Sequence, residues 1–226
     1  LWWILDPLCF MLIYVFMFGY VFKSTEQYFA IFVFIGITLW DFFNKCLMQS
    51  VRVIKNNKAI VSKVYIPKFI LLIIKMGVNG FKMFISLLIV VAMLIVWRVP
   101  ITWNILFFIP ILITLFVVVF GLGCFLLHYG VFVEDLSNVL NIALRLLFYL
   151  TGVFWSVMDR LPAPYNSYIG KGNPIAFLLT AMRDCVIYEK TPDLPLLLIW
   201  FLVGLVISIL GVRKIYKNEN SYVKVI

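Results

Sequence analysis

The sequence predicts an all-α integral membrane fold: a single transmembrane domain over residues 1–226, with six transmembrane helices and a re-entrant helical hairpin between the fifth and sixth spans. Hydrophobic residues make up 65% of the chain and charged residues 13%, whereas soluble domains are about 45–50% apolar and about 25% charged. Several apolar runs are long enough to cross a bilayer, where backbone polar groups must pair internally and helices are therefore favoured. The segment before the last run is too polar to span.

The spans follow from the places where the apolar runs are interrupted. A helix needs about 20 predominantly apolar residues to cross the hydrocarbon core. Polar residues 23–27 separate the first two runs, a basic stretch separates the next two, and Arg98-Val99-Pro100 ends the third. The predicted spans cover residues 1–22, 28–51, 69–97, 103–127, 131–155 and 194–212.

The basic residues predict the orientation. The connection after the second span, residues 52–68, contains five cations and no acid, and the tail after residue 212 contains four cations and one acid, Glu219. Because cytoplasmic loops carry an excess of Lys and Arg, both segments are expected in the cytoplasm. Six spans then place both termini there. The net charge of +9 does not indicate nucleic acid, since the cations cluster beside apolar runs, where anionic lipid headgroups attract them.

Residues 158–193 are expected on the outer side as a hairpin of short helices. Asn173 suits a helix N-cap and Pro174 the first helical position, so a helix is predicted from Pro174 to about Tyr188. At 1.5 Å per residue it is too short to cross, although its first half is apolar. A re-entrant hairpin is one interpretation, and an ordinary surface loop with an amphipathic helix is the other. Tyr165 and Tyr168 are its exposed aromatic candidates.

One arginine lies in the middle of the fifth predicted span. An intramembrane Arg costs at least about 2.5–3.5 kcal/mol, so Arg145 should face the bundle interior or water. Asn141 and Tyr149 lie four residues to either side and share its face. The stripe could line a polar path that binds an anionic group. Alternatively, Arg145 could pair with Asp41 or another buried acceptor and only stabilise the bundle.

A second polar stripe follows the third predicted span. Lys75, Asn79 and Lys82 recur at helical spacing with Lys68 and could form a cationic entry for a phosphate-bearing headgroup. Alternatively, these lysines extend toward anionic headgroups at the inner surface. In the second span, Asp41 and Lys45 are spaced to form an i, i+4 ion pair.

The sequence lacks the motifs of catalysis and energy conversion. It contains no phosphate-binding loop, no zinc-protease motif and no Ser-hydrolase motif, and His128 is its single histidine. The four cysteines are scattered without a CxxC pair, so no metal site, cofactor or disulfide framework is predicted. No enzyme activity is therefore predicted for this chain, and an energy source would have to be on another chain.

Several short motifs, in their order and spacing, resemble the permease subunit of polysaccharide ABC exporters of the O-antigen and teichoic-acid class. They are Leu1-Trp2-Trp3-Ile4-Leu5-Asp6-Pro7, Val64-Tyr65-Ile66-Pro67-Lys68-Phe69-Ile70-Leu71, Gly121-Leu122-Gly123, Glu134-Asp135 and Asn173-Pro174-Ile175. The resemblance runs along the whole chain. One departure is Val133-Glu134-Asp135, where family members often carry Phe-Arg-Asp.

The resemblance implies a homodimer in the bacterial cytoplasmic membrane with two ABC ATPase subunits beneath it, which would hold the ATP and Mg. The substrate would be a polyprenyl-diphosphate-linked glycan or polyol-phosphate polymer, and an amphipathic helix would precede Leu1. The ATPase-coupling segment would comprise Asn56, Asn57, Lys58, Ala59, Ile60, Val61, Ser62, Lys63, Val64 and Tyr65. The alternatives are an ABC permease for a small amphiphile or drug, and an integral-membrane transferase acting on polyprenyl-linked substrates.

Overall fold

The structure, a computed structural model, is helical wherever regular structure is described. It describes residues 28–63, 66–100, 102–160 and 162–225, together with Leu5, Leu8, Cys9, Leu12, Ile13, Phe16 and Met17. The first predicted span, residues 1–22, lies outside the described residues apart from these seven positions. Within the described ranges no strand occurs, and the all-helical prediction is confirmed.

In the described part of the chain, four helices are long and apolar enough to cross a membrane. They correspond to the second, third, fourth and sixth predicted spans. We number the helices of the described region in chain order: α1 Phe29–Asn56, α2 Lys58–Val61, α3 Lys68–Val96, α4 Phe108–Phe132, α5 Leu136–Leu150, α6 Val157–Arg160, α7 Tyr165–Gly172, α8 Pro174–Val186 and α9 Leu194–Val225. A 3₁₀ turn, Trp103–Phe107, leads into α4.

The fifth predicted span, residues 131–155, is shorter in the structure. Val131 and Phe132 complete α4, and α5 has only 15 residues, or about 22 Å. That length is below the roughly 30 Å of a hydrocarbon core. The helix ends because the chain turns at Gly152, whose φ of 69° is the left-handed conformation that glycine adopts without a Cβ clash.

Helix α1 is the centre of the packing, and 72% of its most apolar window is buried. Helices α3, α4, α5 and α8 all contact it. On the far side of α4, small residues let α9 approach closely: a Cβ on Gly211 would lie 2.6 Å from Cys124 Cβ, and a Cβ on Gly121 would lie 2.9 Å from Ser208 N. Small residues at helix contacts are the usual means of close packing in membranes, where helix association gains no hydrophobic driving force.

Candidate functional site

A polar groove runs between α1 and α5. It consists of two cavities of about 450 and 410 Å³ that share Asn141. Aromatic, amide and basic side chains line the first: Trp40, Asn44, Asn141, Leu144, Arg145, Phe148 and Tyr149. Amide, hydroxyl and basic side chains line the second: Met48, Gln49, Arg52, Asn56, Ser137, Asn138 and Asn141. We refer to this combined set of residues as the α1–α5 groove.

The helical repeat explains why these side chains meet. Residues spaced by three and four lie on one helix face. On α1, positions 40, 44, 48, 52 and 56 follow that spacing, and on α5 positions 137, 141, 145 and 149 do. The predicted common face of Asn141, Arg145 and Tyr149 is therefore confirmed, because all three line the same cavity. What the stripe does stays a prediction.

The charge of the α1–α5 groove is positive. Arg52 donates a hydrogen bond of 2.7 Å to Ser137 Oγ, which holds its guanidinium at one end of the groove. Arg145 is exposed in the middle of it, and among the described residues it forms no ion pair. Asp41, the acceptor considered for Arg145, is bonded to Lys45 instead. Among the described residues, no acidic side chain lines either cavity.

Aromatic rings form the other end of the groove. The Trp40 and Phe148 ring centroids lie 5.3 Å apart, and those of Phe148 and Tyr149 lie 5.6 Å apart. Tyr149 remains 70% exposed, so its ring is available to a ligand. The groove therefore combines arginines, amides and aromatic rings, which can bind phosphate, hydroxyl groups and the apolar faces of sugars respectively.

The second predicted stripe, on α3, lies outside the α1–α5 groove. Asn79 is only 3% exposed and donates a hydrogen bond of 3.1 Å to Gln49 Oε1. Lys82 borders a small polar cleft beside Asp41 and Lys45, whose predicted ion pair is confirmed at 2.6 Å. Half-buried Lys75 is not among the residues that line this cleft or the groove. The two polar stripes thus do not share one cavity, and Gln49, which accepts the hydrogen bond from Asn79, also lines the groove.

The predicted coupling segment forms a short helix after a turn at Asn57. Helix α2 spans four residues, and Val61 is buried against the core. The remaining described positions are exposed or half-buried: Asn56, Asn57, Lys58, Ala59, Ile60, Ser62 and Lys63. Val64 and Tyr65 lie outside the described residues. The surface of the coupling segment combines lysines with Ile60, which is 46% exposed.

The predicted N-cap of α8 is confirmed. Asn173 Oδ1 accepts a hydrogen bond of 3.0 Å from Ile175 N, and Pro174 occupies the first turn. The Asn173 amide also donates to Thr151 Oγ1 at 3.3 Å, which ties α8 to the end of α5. Tyr165 and Tyr168 on α7 are both exposed.

Sequence reasoning missed Arg183, which holds α8 in place. Its guanidinium is 3% exposed and donates to Phe32 O, Gly152 O at 2.9 Å and Val153 O at 2.7 Å. It also stacks 3.4 Å from the Phe32 ring centroid. No motif marks this residue, since its partners are distant in sequence; the only signal is a charged residue within a short apolar helix.

A second cluster that sequence reasoning missed lies where α3, α4 and α9 meet. Lys68 and Glu219 form a buried ion pair at 3.1 Å, and the Tyr222 hydroxyl lies 2.8 Å from His128 Nδ1. Burial, together with the carboxylate of Glu219, raises the pKa of Tyr222. Its hydroxyl therefore stays protonated at physiological pH and can hydrogen-bond to His128.

A polar groove beside a buried central helix, in a protein of apolar membrane-length helices, defines a multi-pass membrane transport subunit. The chain belongs to the ABC-2 type transporter family, whose model matches residues 2–187. It is similar to the O-antigen export system permease protein RfbA of Klebsiella pneumoniae, at 22% identity over 227 residues that cover 100% of this chain and 86% of the relative. It is also similar to RfbA of Myxococcus xanthus, at 24% identity over 196 residues that cover 85% and 74%.

Proposed function

We propose that this chain is the transmembrane subunit of an ATP-driven exporter. It moves a polyprenyl-diphosphate-linked polysaccharide, an O-antigen or teichoic-acid-like polymer, across the bacterial cytoplasmic membrane. The α1–α5 groove is the observation that carries the proposal. Two relatives named as O-antigen export permeases support the same substrate class.

The chemistry of the groove favours a glycan over a small amphiphile. Amide side chains such as Asn44 and Asn141 both donate and accept hydrogen bonds, as sugar hydroxyls require. Arg52 and Arg145 supply two cationic positions for phosphate oxygens. A site for an amphiphilic drug would instead be mostly apolar, as ligand pockets usually are. The translocation path therefore follows the α1–α5 groove, with Lys75, Asn79 and Lys82 supporting it from α3.

Among the described residues, nothing covers one side of the groove, which supports a homodimer. Large apolar side chains are exposed on α5 beside it, among them Ile142 and Leu146. A second copy of the chain would cover this surface and complete the wall of the path. Two ABC ATPase subunits, which hold the ATP and Mg, bind beneath the dimer. The exposed lysines and Ile60 of the coupling segment suit a partner with an acidic rim around an apolar pocket.

The proposed orientation places both termini in the cytoplasm and the segment 158–193 outside. There α7 and α8 form the outer hairpin, and Tyr165 and Tyr168 contact the emerging polymer. The first span, residues 1–22, and α5 complete six crossings. Helix α5 is short for a crossing, so the turn at Gly152 and the buried α8 lie within the outer leaflet. Protein surrounds this non-helical backbone, the condition under which a membrane tolerates it.

Depletion of the chain from its native cells tests the proposal. Lipid-linked polymer should still be assembled, should accumulate on the inner side of the membrane and should disappear from the cell surface. The purified chain should copurify with an ATPase and should hydrolyse no ATP without it. Loss of polymer assembly itself would overturn the proposal and favour a membrane transferase. Normal polymer export with altered resistance to amphiphiles would favour the drug permease.

A further inference from the structure

Helix α9 is longer than a membrane crossing requires. Its 32 residues extend about 48 Å, against roughly 30 Å for a hydrocarbon core. Its final turns, residues 213–222, lie beside the inner ends of α3 and α4. Four side chains in this stretch contact residues of α3 or α4: Lys214, Tyr216, Glu219 and Tyr222. We call these four residues the α9 clamp.

The α9 clamp holds the start of α3. Glu219 pairs with Lys68 at 3.1 Å, with side chains 9% and 3% exposed. The Tyr216 ring packs on Phe69, with centroids 5.6 Å apart. Lys68 and Phe69 are the first two residues of α3 and follow the coupling segment after Ile66 and Pro67. A displacement of the coupling segment would therefore act on α9 through a buried ion pair, whose charges are costly to separate in a low-dielectric environment.

The α9 clamp also holds the end of α4. The Tyr222 side chain is fully buried, and its hydroxyl lies 2.8 Å from His128 Nδ1. Lys214 donates a hydrogen bond of 2.6 Å to the Tyr129 hydroxyl. The same segment of α9 therefore joins two helices.

Helix α4 leads from the clamp to the outer hairpin. At its other end it continues into the 3₁₀ turn, and both contact α8. Asn104 in that turn donates a hydrogen bond of 2.6 Å to Glu189 O, just after α8. The contacts are thus continuous from the coupling segment through α9 and α4 to the outer hairpin.

We propose that the α9 clamp transmits the nucleotide-driven movement of the coupling segment to α4, so that Lys68, Glu219 and Tyr222 are positioning residues for energy coupling. The proposal rests on the proposed function, because it assumes an ATPase partner at the coupling segment. Without the clamp, the coupling segment would reach α4 only through the packing of α1 and α3 against it. Loss of the clamp would then leave ATP hydrolysis intact while α4 no longer responded to it.

The experiment uses the complex of this chain with its copurifying ATPase in lipid nanodiscs. In a Cys9→Ser background, Val133→Cys places a thiol at the exposed end of α4. The labelling reports on this thiol, because Cys46, Cys124 and Cys185 are buried. The labelling rate with a water-soluble maleimide is measured without nucleotide and with the complex trapped by ATP and vanadate. The parent should show a several-fold difference between the two rates.

Two changes remove the clamp contacts with little change in volume. Lys68→Met/Glu219→Gln removes both charges together, so no unpaired charge is buried, and Tyr222→Phe removes one oxygen atom. The double variant should lose the rate difference and Tyr222→Phe should reduce it, while both copurify with the ATPase and hydrolyse ATP at the parent rate. Lys217→Gln, which changes an exposed cation five residues before Tyr222, is the matched control and should behave as the parent.

Each outcome is decisive. A rate difference that survives in the double variant and in Tyr222→Phe would overturn the proposal, as would a parent without any difference. If the double variant fails to fold, the labelling-rate difference of Tyr222→Phe alone tests the proposal. A parent chain that copurifies with no ATPase would contradict the proposed function instead, which separates the two failures.

Discussion

Arg183 shows how one side chain fixes the position of the outer hairpin. Its guanidinium donates hydrogen bonds to three backbone carbonyls from two separate segments, one of them 151 residues away in sequence. Gly36 makes this possible, because a Cβ there would lie 2.5 Å from Arg183 Nη2 and 2.8 Å from Val153 O. The asparagine cap of α8, by contrast, depends on neighbours in sequence and was predictable from local pattern.

Gly36→Ala should destabilise the protein, because the added methyl group overlaps the Arg183 site. Overpacking of this kind costs about 1–3 kcal/mol. Gly77→Ala is the matched control, since a Cβ at Gly77 meets no atom within 4 Å. It should be neutral or should stabilise by about 0.5–1 kcal/mol, as expected for Gly→Ala within a helix. Thermal unfolding in detergent compares the two; equal midpoints would contradict the packing at Gly36.

Arg183→Met should be more damaging than Gly36→Ala. It keeps most of the side-chain length but leaves Phe32 O, Gly152 O and Val153 O without the guanidinium donor. Phe32 O keeps its helical bond from Gly36 N, but Gly152 O and Val153 O become buried acceptors without a donor, at about 1–3 kcal/mol each, so a total loss of at least about 2 kcal/mol is expected. Limited proteolysis should then cleave the outer hairpin faster. Arg213→Gln, which changes an exposed arginine, should leave the protection unchanged.

At the scale of elements, α1 is a helix with two polar faces inside an apolar protein. One face lines the α1–α5 groove, and the other presents Asp41 and Lys45 toward α3. The i, i+4 pair was evident from spacing alone. The spacing did not show that Asn79 and Arg145 lie in separate cavities, because that depends on where α3 and α5 pack around α1.

Arg145→Gln should reduce transport several-fold without unfolding the protein. The guanidinium is exposed to the groove, so its removal leaves no buried partner unpaired, whereas a path for phosphate-bearing polymer loses a cationic contact. Surface polymer, quantified after complementation of depleted cells, measures the effect. Membrane abundance and ATPase copurification should match the parent, and Arg213→Gln should transport normally. Full transport by Arg145→Gln would contradict a path through the α1–α5 groove.

At the scale of the whole molecule, helix lengths and charge decide the topology. Four helices of the described residues meet the length and hydropathy of a crossing, and the long helix α9 carries its cations at one end. The two ends of the apolar run 131–155 lie in the last residues of α4 and in the turns that flank α5, so the run overstated the length of this helix. Hydropathy detects apolar residues but does not detect a turn that is buried by other parts of the protein.

Reporter fusions test the proposed topology. Fluorescent protein fused after Ile226 should be fluorescent, and alkaline phosphatase at the same position should be inactive, because the positive tail is expected inside. Phosphatase inserted after Lys190 should be active, since the outer hairpin is expected outside. Active phosphatase at the C-terminus would reverse the orientation and place the basic coupling segment on the wrong side for an ATPase.

The sequence by itself determined the apolar helical architecture, the span cores, the Asp41–Lys45 pair, the Asn173 cap and the shared face of Asn141, Arg145 and Tyr149. Each of these depends on composition or on residues a few positions apart. Only the tertiary structure decided that this face meets α1 across a groove, that Arg183 binds carbonyls of distant segments, and that α9 joins α3 to α4. These contacts link residues 30 to 151 positions apart, and helix packing rather than local pattern determines which distant side chains meet.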